Sequence, residues 1–135
     1  MPTRANVLIV DDDPDSQFLA KRALRGAGDE VKFIEAWNGA QAFDMLSVND
    51  KLGADRITHV LLDPNMPVMN GFDFMEAFET LPESCTAGVR IVLVTSAPSP
   101  QYHARAQSLQ GVSEIFSKTL TKSDRSAVLG PRSAT

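Results

Sequence analysis

Three short aliphatic runs, each closing on a polar side chain, do most to limit what this chain can fold into. "NVLIV" leads into Asp11, "VLL" into Asp63 and "IVLV" into Thr95. Each run is strand-length and none alternates with polar residues. A strand of this kind is buried on both faces, as in a parallel sheet covered by helices on each side. An antiparallel sheet with one wet face would show stricter alternation.

Between these runs the spacing of apolar residues becomes helical. After a strand at Val7 to Val10, Asp15 or Ser16 is expected to cap a helix whose apolar face is Phe18, Leu19, Ala23 and Leu24, before Gly26 and Gly28 loosen the chain. The alternation repeats with a strand at Val31 to Ala36, a helix at Ala40 to Val48, a strand at Val60 to Leu62 and a helix from Phe72 that carries Met75, Phe78 and Leu81. A strand at Val89 to Val94, a helix at Gln101 to Leu109, a strand at Glu114 to Ser117 and a last helix at Lys122 to Leu129 complete the pattern. The expected class is a three-layer, doubly wound (βα)5 fold around a five-stranded parallel sheet. A chain of 135 residues has room for one such domain, read as spanning 1–135, with Gly130 and Pro131 opening a flexible tail over 130–135.

Composition excludes more than it assigns. Thirteen basic against seventeen acidic residues, with no basic run, argue against a direct nucleic-acid ligand. Cys85 is the single cysteine, so an intramolecular disulfide or a thiolate metal cluster is ruled out. No apolar stretch approaches the roughly 20 residues of a membrane span, and "MPTRAN" does not open a secretory leader. A cytoplasmic protein without membrane insertion is the expectation.

In a doubly wound sheet, ligands collect beyond the carboxyl ends of the strands. Asp11, Asp12 and Asp13 follow the first expected strand, Asp63 the third, Thr95 and Ser96 the fourth, and Lys118 the fifth. Carboxylates crowded into one crevice repel one another, and a bound cation is the simplest relief. An oxygen-rich cluster without His or Cys suits Mg²⁺, with Mn²⁺ as the near substitute. Asp63 could attack a phosphoryl phosphorus while the metal and Lys118 neutralise the oxygens of the moving group and Thr95 donates its hydroxyl. Taken one at a time, strand-end aspartates more often cap helices or face solvent; the coincidence of all these groups is what favours a site.

The remaining conspicuous residues read more plainly. Pro64 and Pro67 restrict the loop after Asp63, Gly71 permits the turn into the next helix, and Met66 and Met69 read as packing beneath it. His59 starts the third strand at the end away from the site. Trp37 is read as a half-buried packing residue before an exposed anchor, Phe116 as a packing residue, Tyr102 and His103 as part of a partner face, and Cys85 as an unreactive surface thiol.

From "VLIVDDDPDS" through "LLDPNMPVMNG" and "VLVTS" to "SEIFSKTL", over residues 5–129, the chain resembles the response-regulator receiver domain of two-component signalling, the CheY-like superfamily. The resemblance implies a flavodoxin-like fold with Asp63 as phosphoacceptor. It places the metal on Asp11, Asp12, Asp63 and the backbone carbonyl of Asn65, and gives Thr95 and Lys118 to the phosphoryl group. It implies a phosphoryl donor, either a histidine kinase or a histidine phosphotransfer protein. The domain itself would catalyse its phosphorylation and later hydrolysis, and no dedicated turnover enzyme is expected.

Output would pass to a downstream protein, to the next member of a relay or to a second copy of the chain. The surface implied is that of the helix at Gln101 to Leu109, the fifth strand and the last helix. The chain is read as a stand-alone receiver.

Three positions depart from the family pattern. Thr119 stands where proline follows the lysine, commonly through a cis bond. A cis bond costs a non-proline residue about 2.5–4 kcal/mol, so either that strain is accepted or a trans loop moves Lys118. Ile115 replaces the usual switch ring of Tyr or Phe, and Ala97, two residues after Thr95, has no polar group to orient water. Thr119 and Ile115 motivate an alternative, a receiver-like scaffold that binds its partner regardless of phosphate. A phosphatase built on Asp11 and Asp13 would leave Asp63 unexplained, and a flavodoxin-like cofactor protein would want a phosphate-cradling loop where this chain has acids.

Overall fold

A computed structural model describes residues 4–25, 30–63, 69, 71–95, 112–117 and 120–129. Five strands form one parallel sheet: β1 (Arg4–Val10), β2 (Glu30–Ala36), β3 (His59–Leu62), β4 (Arg90–Thr95) and β5 (Val112–Ser117), in the order β2-β1-β3-β4-β5. The helices are α1 (Pro14–Leu24), α2 (Gly39–Leu46), α3 (Gly71–Phe78), the single turn α4 (Glu83–Thr86) and α5 (Arg125–Leu129). This is the flavodoxin-like (βα)5 arrangement expected from the sequence. The helix expected at Gln101 to Leu109 lies outside the described residues.

The unbroken apolar runs feed two cores. Leu8, Val10, Val60, Leu62, Ile91 and Leu93 point to one face, where α2 and α3 cover them with Ala42, Leu46, Phe74, Met75 and Phe78. Val7, Ile9, Leu61, Val92 and Val94 point to the other, against Ala23 and Leu24 of α1 and Val128 and Leu129 of α5. Successive strand residues alternate between faces, so a strand covered on both sides must be apolar throughout. Phe116 packs on the α1/α5 side and Ile115 on the opposite side, in keeping with that alternation.

Two local expectations are corrected. Asp13, not Asp15 or Ser16, caps α1: its side chain accepts from the Asp15 amide, and Pro14 takes the first helical position, where no amide is needed. Nor do Phe18 and Leu19 form the buried face of that helix. Phe18 is 63% and Leu19 37% exposed, whereas Gln17, Ala23 and Leu24 are buried. Gln17 turns inward because its amide meets backbone carbonyls at the ends of β1 and β2.

At the amino end of the sheet, His59 is fully buried. One ring nitrogen lies 2.8 Å from Thr58 Oγ1, and Nε2 lies 2.6 Å from the Leu129 carbonyl. Arg90 donates to the Ala127 and Val128 carbonyls from the same side, so the end of α5 is tied to β3 and β4. Cys85 is buried too, and its thiol donates to the Ser47 carbonyl, which corrects its reading as a surface thiol. Among the described residues no helix is long and apolar enough to cross a membrane.

Candidate functional site

Strand register assembles the site. Val10 pairs with Leu62, so Asp11 and Asp63 emerge side by side from the carboxyl ends of β1 and β3. The Asp63 amide donates to the Val10 carbonyl and the Asp11 amide to the Ala36 carbonyl, which fixes where each backbone leaves the sheet. This is the point where connections on the two sides of β1 run in opposite directions, and the helices leave a crevice there. On the next strand over, Thr95 is buried at the end of β4 and pairs with Ser117.

Asp11, Asp12 and Asp63 each present a carboxylate oxygen, and the three lie within 4.8 Å of one another. Asp11 and Asp63 are buried and Asp12 is exposed. Buried carboxylates this close are costly unless positive charge joins them. The donor set contains no imidazole or thiolate, so it fits a hard divalent cation rather than zinc or copper. Asp13 is engaged elsewhere. Besides accepting from Asp15 it accepts from the Ser16 hydroxyl, while its own amide donates to Asp11 Oδ1. It buttresses Asp11 and caps α1.

An apolar recess beside Asp11 and Asp63 is lined by Ile9, Ser16, Leu19, Leu61, Val94 and Leu120. Trp37, directly after β2, is 37% exposed, so most of its surface is covered while part of it meets solvent. Met69 is half-buried against the core on the α2/α3 side, as its packing role required, and its carbonyl accepts from the Gly39 amide.

Asn65, Lys118 and Thr119 lie outside the described residues, as do Met66, Ser96, Ala97, Tyr102 and His103. The structure thus brings together Asp11, Asp12 and Asp63 of the expected set and places Thr95 at the end of the neighbouring strand. One residue that sequence reasoning missed is Gln17. It lies beneath the site on α1, and the signal was available: Gln17, Ala20, Ala23 and Leu24 form a stripe at helical spacing, with a single polar member.

A five-stranded parallel sheet in this order, with acids converging at its switch point, defines a CheY-like receiver. The model of the response regulator receiver domain matches residues 7–129, and the chain belongs to that family. A two-component response regulator from Cytophaga hutchinsonii shares the fold at a TM-score of 0.83 and 23% identity, over 93% of this chain and 94% of that one. The chemotaxis protein CheY4 of Vibrio cholerae is 27% identical at a TM-score of 0.68, over 90% of this chain and 92% of that one. A two-component response regulator from Legionella pneumophila shares the fold at a TM-score of 0.74 and 23% identity, over 93% of this chain and 95% of that one. No curated protein sequence matches the chain. The fold and the acidic cluster are of the kind used in phosphorelay signalling.

Proposed function

We propose that this protein is a phosphorylation-dependent signalling switch whose phosphoacceptor is Asp63. The observation that carries the reading is the convergence of Asp63 with Asp11 and Asp12 within 4.8 Å, with Thr95 buried at the end of the neighbouring strand. The donor would be a phosphohistidine on a histidine kinase or a histidine phosphotransfer protein. An Asp63 oxygen attacks phosphorus, the P–N bond breaks with its electron pair going to the imidazole, and an aspartyl phosphate forms. Hydrolysis reverses the modification: water attacks phosphorus, the bond to Asp63 breaks, and inorganic phosphate leaves.

Asp11, Asp12, Asp63 and the carbonyl of Asn65 are the residues that would hold Mg²⁺, with Mn²⁺ as substitute. Bound there, the cation supplies positive charge against the phosphoryl oxygens. Thr95 donates its hydroxyl to one of those oxygens, and Lys118 contributes an ammonium to another. Buried Asp11 holds its orientation through the Asp13 amide, which keeps one of its oxygens engaged. The modified Asp63 then alters binding of a downstream protein or passes its phosphoryl group on.

The test is intact-mass analysis after incubation with acetyl phosphate or phosphoramidate, with and without Mg²⁺. A gain of one phosphoryl group that needs Mg²⁺ and disappears in Asp63→Asn is expected. A folded sample that gains none from either donor would sink the switch reading and leave the phosphate-independent scaffold in its place.

A further inference from the structure

The buried face of α1 carries an amide where an aliphatic side chain would ordinarily pack. Gln17 is 1% exposed, and its Nε2 lies 2.9 Å from the Ile9 carbonyl, 3.2 Å from the Asp11 carbonyl and 3.1 Å from the Ala36 carbonyl. These oxygens belong to the end of β1, the first residue beyond it and the end of β2. The amide orientation is fixed, because the reverse would set Oε1 against three carbonyl oxygens. That choice leaves Oε1 buried with no partner among the described residues. A buried acceptor without a donor is costly, so the contacts on the other side of the amide must outweigh it.

Those contacts hold the backbone from which the acids project. Asp11 donates its amide to the same Ala36 carbonyl that receives Gln17 Nε2, and its side chain accepts from Asp13. Asp11 is therefore anchored by its amide, its carbonyl and its carboxylate, and Gln17 supplies the anchor at the carbonyl. We infer that Gln17 is a positioning residue for the acidic cluster, setting the backbone that carries Asp11 and Asp12 so that both carboxylates reach a divalent cation shared with Asp63. The inference rests on the metal-dependent reading of the site given above. Removing a group that orients a metal's ligands lowers affinity by about tenfold to a hundredfold.

The experiment measures Mn²⁺ dissociation constants by electron paramagnetic resonance, and the thermal midpoint of the metal-free protein, for the wild type and Gln17→Met. Methionine keeps the length and the helix preference and removes the donor. Asn6→Ala is the stability control, since Asn6 ties β1 to the Ala54 and Arg56 carbonyls at the other end of the sheet. At least a tenfold weaker Mn²⁺ affinity in Gln17→Met, with Asn6→Ala within twofold of the wild type, is expected. Equal affinity in Gln17→Met and wild type, whatever the midpoints, would overturn the inference and make Gln17 a fold residue only. Should Gln17→Met not fold, Gln17→Asn keeps the amide one methylene short of its carbonyls, and a loss of threefold or more against Asn6→Ala is the required result. A wild type that binds no Mn²⁺ would overturn the metal reading and the inference with it, which separates the two failures.

Discussion

Asp11, Asp12 and Asp13 are chemically identical and consecutive, yet the fold gives them different work. Asp11 is buried and Asp12 exposed, and both reach the cluster with Asp63, whereas Asp13 spends its oxygens on Asp15 and Ser16. Replacing Asp13 with alanine removes an N-cap and should lower stability by about 1 kcal/mol in urea unfolding. Phosphoryl uptake at Asp63 should survive that change, because Asp13 lies outside the cluster of Asp11, Asp12 and Asp63; Asp12→Ala should instead spare stability and weaken Mg²⁺ binding in calorimetric titration. The run "DDD" announced an acidic site without dividing these roles, since the division depends on where the chain leaves β1 and where α1 begins.

Elements are held to one another at a few close approaches. The α2 amino terminus meets Met69 so tightly that a Cβ on Gly39 would lie 2.8 Å from the Met69 carbonyl oxygen and 2.9 Å from its Cγ. A backbone oxygen cannot swing aside as a side-chain tip can, so Gly39→Ala should cost about 1–3 kcal/mol in urea unfolding. The opposite end of the sheet is fastened by His59, which reaches the last carbonyl of α5. Replacing His59 with phenylalanine keeps a buried ring but leaves the Leu129 carbonyl without this partner. A loss of about 1–3 kcal/mol is expected, with faster hydrogen exchange in α5 than in β1 as the local signature. Helix positions were legible from periodicity, but the inward face of α1 was not: Phe18 and Leu19 looked like core, and a glutamine took their place because three backbone carbonyls converge there.

Across the whole molecule, a divalent cation held in the acidic crevice would couple its binding to folding. Three carboxylates at one point repel one another, and a cation that binds only when they are gathered would favour the folded state. At a hundred times its dissociation constant, Mg²⁺ should raise the unfolding free energy by about 2.7 kcal/mol. Thermal melts with and without the ion test this, and Asp11→Asn should abolish most of the rise. The two cores on either side of the sheet make the effect global, because the crevice is built from the ends of strands that both cores hold.

The sequence by itself determined the class of fold, through aliphatic runs that only a doubly covered parallel sheet can bury. It also determined the chemistry available at the strand ends, since acids and a hydroxyl directly after such runs must emerge where ligands gather. Only the tertiary structure decided the register that sets Asp11 beside Asp63, the assignment of Asp13 to a cap, the burial of Cys85 and the turn of α1 that drives Gln17 inward. Local pattern reports a residue's own preference for water or for a helix. These outcomes depend instead on which distant backbone groups still need a partner once the strands have paired.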